Sequence, residues 1–264
     1  MFTPCGVITL TTDFGHKGPF VATMKGVMLT RFPDARIVDL THETSVHFPA
    51  EAGFWLKRAY PYFPVGTTHV AVVDPGVGTQ RDIVVVVHDG HAFVAPDNGL
   101  LGPIAEREGA VAYQLDLANA AQFGIDQVSA TFHGRDILAP IGAALAQGRR
   151  RPADVGPPVS NIVPAWVDDP TVSASEIRGV VIAVDNFGNL ITNIGKELVA
   201  PLNAPDVHAG GHAFTLRRTY GDVSPGEYLA LINSFDVVEI ARAEKSAADG
   251  LGLNRGAPVR VSST

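Results

Sequence analysis

Two short runs in this sequence carry residue types that do acid–base and charge-stabilising chemistry. The first is "VVDPGVGTQRD", residues 72–82. Asp74 is followed by Pro75 and Gly76, a turn-forming pair, and Arg81 comes seven residues later, close enough to fold back on the carboxylate. The second is "TFHGRD", residues 131–136, in which Phe132 precedes His133 and Gly134 follows it. Histidine changes charge near neutrality, arginine stays cationic, and glycine lets backbone or ligand come close. Together Asp74, Arg81 and His133 are candidates to handle a proton and to stabilise a developing charge. Each run also has a plainer reading: an Asp–Arg pair bracing a turn, and a hydrogen-bonded, partly buried histidine. Asp136 reads as a helix cap or first-turn acid.

Other positions read as binding residues. Asp13, in "LTTDFG" at residues 10–15, follows a first strand, where a carboxylate can accept from the two hydroxyls of a ribose. No GxGxxG or GxxxxGK[ST] pattern is present, so nothing supports a pyrophosphate or NTP site. A sugar-binding carboxylate without a phosphate loop points to a nucleoside lacking phosphates. In "VDNFGNLITN", residues 184–193, Asp185 and Asn189 offer polar contacts and Phe187 offers a ring face for a base; the alternative is a tight turn. In "INSFDVVEIAR", residues 232–242, Ser234, Glu239 and Arg242 suit a base edge or the polar end of an amino acid, or are ordinary strand residues.

The elements that must position these groups change character along the chain. Residues 5–12 read as a buried strand, 18–33 as a helix stopped by Pro33, 35–42 as a second strand and 48–64 as a helix that Pro61 ends. Residues 68–78 read as a strand running into a turn, with a hairpin around Asp89-Gly90 and a helix over 136–148. Alternating strands and helices predict an α/β domain over 1–150 with a mostly parallel sheet, whose ligands bind at the carboxyl ends of the strands. A proline-rich linker is expected over 151–174, then a smaller all-β, barrel-like domain over 175–264. The net charge of −7 excludes a general nucleic-acid binder. The single Cys5 rules out an internal disulfide and makes a cysteine-based metal site unexpected. The first residues lack the basic head of a signal peptide, and the aliphatic run "IVVVVH" is too short to span a bilayer. A cytoplasmic protein without membrane attachment is the expectation.

The motifs "TLTTDFG", "MKGVM", "IVDLTHE", "VAVVDPGVGTQRD", "APDNGLL", "TFHGRDILAP", "DNFGNLITN" and "INSF…EIA" follow one another over nearly the whole chain. In that order they resemble the S-adenosyl-L-methionine (SAM) hydroxide adenosyltransferase family, the adenosine-forming SAM hydrolases, whose halide-using relatives are fluorinase and chlorinase. The resemblance implies attack of water or hydroxide on C5′ of SAM to give adenosine and L-methionine, with no cofactor and no metal. It also implies a homotrimer with sites where one subunit's N-terminal domain meets a neighbour's C-terminal domain. Asp74, Arg81 and His133 match the family's water-preparing triad; the sequence does not decide which takes the proton, and His133 is the natural candidate because histidine titrates near neutrality. Asp13 matches the ribose carboxylate, and Phe187 and Asn189 match the adenosine pocket. Phe132, Asp185, Ser234, Glu239 and Arg242 complete the expected substrate-binding set. Halide users carry a tyrosine or similar residue at the place of Asp74 and a serine at that of Gly134, so the resemblance favours water. His47 falls where a ring packs on the substrate. The competing readings are a non-catalytic SAM or adenosine sensor and a SAM-dependent halogenase.

Overall fold

The computed structural model describes residues 1–173 and 175–263. Two compact units emerge, Met1–Trp166 and Val167–Thr264. In the first, strands β1 (Val7–Thr12), β2 (Arg36–Thr41), β3 (Thr68–Val72), β4 (Ile83–His88), β5 (His91–Pro96), β6 (Val111–Gln114) and β7 (Pro158–Val159) form one sheet in the order β2-β1-β3-β5-β4-β6-β7. β2, β1, β3 and β5 are mutually parallel. β4 reverses, β6 returns to the common direction and β7 reverses again. Five of the seven strands therefore run one way, which is the mostly parallel sheet expected.

Alternation along the strands splits the core into two layers. Ile8, Leu10, Val70, Val72 and Val85 face helices α1 (Phe20–Arg31) and α4 (Ala139–Ala146). Ala71, Val73, Val84, Val86 and Phe93 face α2 (Pro49–Ala59) and the short α3 (Gly102–Ala105). Gly142 lets α4 lie directly on β3, since a Cβ there would come within 2.5 Å of a Val70 methyl carbon. The helix expected over 48–64 ends at Pro61 as expected: α2 stops at Ala59 and Tyr60–Tyr62 form a single 3₁₀ turn. The expected 136–148 helix begins as a π-helical turn, Gly134–Leu138, and continues as α4. The β4–β5 hairpin turns on Asp89 and Gly90, both at positive φ, as a two-residue hairpin turn requires.

Within the stretch expected as a linker, β7 pairs with β6, and β8 (Thr171–Val172) pairs with β9 (Glu176–Val184). The second unit continues with β10 (Leu190–Gly195), α5 (Lys196–Val199), β11 (Pro205–Ala209) and β12 (His212–Arg217). It ends with β13 (Tyr228–Ile232), β14 (Val237–Arg242), α6 (Ala247–Leu251) and β15 (Pro258–Ser263). The order β9-β10-β14-β13-β12-β11-β15 closes on itself because β9 pairs with both β10 and β15, giving a seven-stranded barrel. Among the described residues no helix is long and apolar enough to cross a membrane.

A buried histidine pair lies under the first sheet. His69 is fully buried, with Nδ1 2.8 Å from Thr9 Oγ1 and Nε2 3.1 Å from His91 Nδ1. Burial, and then the neighbouring His91, hold the His69 pKa down at about 3. An unfolded chain protonates the same ring near pH ~6.5. Below that value the unfolded state gains a proton that the folded state refuses. Stability is therefore expected to fall as pH drops from about 6.5 toward 3, with a slope on the order of 1 kcal/mol per pH unit from this residue. Denaturant unfolding across that interval should show a shallower slope for His69→Gln than for the unaltered chain.

Candidate active site

The rim at the carboxyl ends of the parallel strands gathers the reactive residues. The chain leaves β1 to one side for β2, then crosses β1 to reach β3, so a crevice opens above the β1 and β3 ends. Asp13 follows β1 and Asp74 follows β3 after the buried Val73. Arg81 lies two residues before β4, whose antiparallel direction brings its start to this same rim. The 74–81 turn is closed by Val77 N–H on the Asp74 carbonyl at 3.2 Å and by Thr79 Oγ1 on the Gly76 carbonyl at 2.7 Å. Gly78, at φ +79°, touches the Ala130 carbonyl so closely that any Cβ would collide with it. This contact brings the loop bearing Arg81 against the segment bearing His133.

The three residues form one network. Arg81 Nε donates to both Asp74 oxygens at 2.9 Å, and Nη2 also bonds Asp74 Oδ2. Nη2 further donates to His133 Nδ1 at 2.7 Å. The Asp74 and Arg81 side chains are only 5% and 10% exposed. Since a guanidinium only donates, His133 Nδ1 is an acceptor and the neutral ring carries its proton on Nε2. Burial, and then the Arg81 charge, hold the His133 pKa below its ordinary value, against the opposing pull of Asp74 and Asp136. His133 is placed by its own segment: Ser129 donates through N–H and Oγ to Asp136 Oδ2 at 2.9 and 2.7 Å, just before the π turn. Such turns interrupt helices at functional positions.

Asp74, His133, Asp13, Phe132 and His47 line a cleft of 260 Å³; Arg81 is not part of its lining and bridges Asp74 to His133 from behind. Asp13 Oδ2 accepts the His47 backbone N–H at 2.9 Å, and His47 holds an unusual φ of +61°. One Asp13 oxygen is thus engaged by the protein, where the sequence suggested both for a diol. Phe132 packs edge-on against Phe14 and Phe20 at ring separations of 5.9 and 5.5 Å.

The barrel holds the second set. Asp185 organises its own turn, accepting from the Phe187 and Asn189 N–H groups at 2.9 Å and from Asn189 Nδ2 at 3.0 Å. Phe187 stands out at the tip, 76% exposed, while Asn189 is buried. Glu239 is buried and accepts from Tyr220 OH at 2.7 Å and Asn233 Nδ2 at 3.1 Å. Burial raises its pKa against those two hydrogen bonds, and the charge of Asp185 adds to the rise. Ser234 is exposed on the adjoining turn. Arg242 does not join them: three residues beyond Glu239 it points to the opposite strand face, donating to the Gly226 carbonyl at 2.9 Å and lying over the Tyr228 ring. Sequence reasoning missed Tyr220, whose link to Glu239 spans 19 positions and leaves no local pattern.

The chain matches the SAM hydroxide adenosyltransferase N-terminal domain over residues 8–156 and the corresponding C-terminal domain over 179–260. An (R)-S-adenosyl-L-methionine hydrolase of Salinispora tropica is 38% identical, with 98% of each chain covered. A fluorinase of Actinopolyspora mzabensis is 25% identical, with 97% of this chain and 96% of that protein covered. A crystal structure of an uncharacterized conserved protein from Thermotoga maritima superimposes with a TM-score of 0.88 at 33% identity, covering 97% of this chain and 99% of that one. The chain belongs to the SAM hydroxide adenosyltransferase family.

Removing the Arg81 charge should release His133. In Arg81→Met the nearest cation is gone while Asp74 and Asp136 still favour the imidazolium, so the His133 pKa is expected to rise. An NMR titration of the His133 ring checks this, and a pKa that stays or falls contradicts the network as drawn.

Proposed function

We propose that this protein is an adenosine-forming SAM hydrolase. The observation that carries the reading is the Asp74–Arg81–His133 network at the cleft, in a chain 38% identical over nearly its full length to a relative named for that activity. Water attacks C5′ in line with the C5′–S⁺ bond. The C–O bond forms, the C–S bond breaks, and sulfur keeps the electron pair as neutral L-methionine leaves. A sulfonium needs no acid to depart, so the residues' work is on the nucleophile.

Asp74 is the acceptor-only member of the network. It orients the water and takes its proton. His133, with Nδ1 already filled by Arg81, offers an N–H donor. This differs from the proton-acceptor role that its titration range suggests: the one free lone pair of the neutral ring is in use. Arg81 holds both partners and balances the buried carboxylate. Holding the water in line supplies a further part of the acceleration through orientation.

Asp13, Phe132, Asp185, Phe187, Asn189, Ser234 and Glu239 are proposed to bind SAM or shape its pocket, with Asp13 at the ribose. The (R) sulfonium named for the relative is the proposed substrate. We further propose a homotrimer in which a neighbour's barrel completes each site. In support, a 260 Å³ cleft falls just short of the ~300 Å³ at which ligand pockets usually begin. In addition, Phe20, Leu29 and Val38 leave apolar surface 50%, 42% and 41% exposed around α1 and β2. The lone Cys5 suits a reducing compartment, and the cytoplasm is the proposed location.

Incubation with SAM, with and without chloride, followed by chromatography, is expected to give adenosine and L-methionine in both samples. A halogenated nucleoside would establish the halogenase reading, and bound but unconverted SAM the sensor reading. Asp74→Asn should lower kcat by roughly 100- to 10,000-fold, the range for losing a general base, while His133→Asn keeps more activity than His133→Phe. Light scattering should return about three times the 27.8 kDa chain mass; a monomer would sink the shared-site arrangement.

A further inference from the structure

The motif "APDNG" at the end of β5 has no part in the chemistry above, yet it holds both feet of the loop that carries Asp74 and Arg81. In the sheet β5 lies between β3 and β4, so the 74–81 loop must pass over the β5 end. There Asn98 Nδ2 donates to the carbonyl of Val73, the residue just before Asp74, at 2.8 Å. The Asp97 N–H donates to the carbonyl of Asp82, the residue just after Arg81, at 2.9 Å. Asn98 Oδ1 in turn accepts the Leu100 N–H at 3.3 Å. The amide orientation follows from chemistry: a backbone N–H only donates and a carbonyl only accepts, so each end of the Asn98 side chain has one possible partner. Pro96, two positions before Asn98, has no N–H to offer.

We propose that Asn98 is a positioning residue for Asp74, fixing the Val73–Asp74 peptide so that the carboxylate meets both Arg81 and the cleft. This rests on the hydrolase reading for its kinetic consequence, but the geometric consequence stands without it. Val73 is fully buried and its peptide has little freedom of its own. Loss of the Asn98 donor leaves that carbonyl unpaired and lets the Asp74 main chain turn away from it.

The test uses Asn98→Asp and Asn98→Ala in the full chain. Asn98→Asp keeps the shape and the acceptor for Leu100 but loses the donor and sets an oxygen against the Val73 carbonyl. Both variants should lower kcat by up to about 100-fold, the cost of an ångström of misplacement, with KM for SAM little changed. In an Asp74→Asn background the further loss from Asn98→Ala should nearly vanish, because the two act through one group. A full additional loss there would mean a general structural role and would overturn the proposal, as would kcat unchanged in both single variants. The readout that needs no turnover is the ¹⁵N NMR spectrum of the Arg81 side chain and the His133 ring. In Asn98→Asp the Arg81 Nε–H and His133 Nδ1 signals should move toward solvent-exposed values, while melting stays cooperative. Unmoved signals overturn the proposal even if the protein turns over no SAM, and inactivity of the unaltered chain tells only against the hydrolase reading.

Discussion

Arg81 is the interaction on which the candidate site depends. Its guanidinium lies nine-tenths out of water between a carboxylate that accepts three of its contacts and an imidazole that accepts a fourth. Taking two such charges out of water is costly, and their attraction repays the cost only with good geometry and further hydrogen bonds. The planar fork of arginine supplies that geometry against a carboxylate, and a lysine could not reproduce it. The same atom that pairs with Asp74 also fixes which nitrogen of His133 holds the proton. One side chain therefore sets the tautomer of His133 and the orientation of both residues that face the cleft.

That geometry is a consequence of strand order. Had β4 followed β3 as a direct hairpin neighbour, Asp74 and Arg81 would sit across a tight turn with no rim between them. The insertion of β5 between β3 and β4 stretches the loop over a third strand end. The reversal of β4 then returns Arg81 to the edge that β3 has just left. The crossing from β2 to β3 over β1 does the corresponding work for Asp13, placing it beside Asp74 although 61 positions separate them. Gly78 permits the loop to press against residue 130, and the Ser129–Asp136 bonds hold the segment that presents His133.

Much of this was legible in the sequence, for identifiable reasons. The buried strand β4 announces itself by an unbroken apolar run, and Asp89-Gly90 by the conformations its turn demands. Residues brought together by one short loop, Asp74 and Arg81, could be paired from spacing alone. What could not be read depended on distant partners. The short β6, β7 and β11 are strands because of the sheets they join, not because of their own residues. Arg242 was grouped with Ser234 and Glu239 by one linear motif, but the two-residue period of a strand turns it to the face opposite Glu239. His133 looked like a base because of its type, and only the Arg81 contact reveals that its acceptor nitrogen is occupied. Asn98 stood only within the motif "APDNGLL", with nothing to mark its role, since its partner is a backbone carbonyl 25 positions away.

The site's electrostatics bear on the choice of nucleophile independently of any likeness to relatives. Asp74 faces the cleft with its side chain 5% exposed. Two like charges about 4 Å apart in such a setting interact with roughly 4 kcal/mol at an effective dielectric of about 20. A halide seated against Asp74 would meet part of that repulsion, since the paired Arg81 guanidinium offsets the carboxylate but lies behind it, outside the lining of the cleft. A neutral water meets no such opposition: it donates to Asp74, accepts from an N–H, and becomes an anion only as the carboxylate takes its proton. On the proposed reading, a cleft lined by this carboxylate favours a nucleophile that arrives uncharged over a preformed anion.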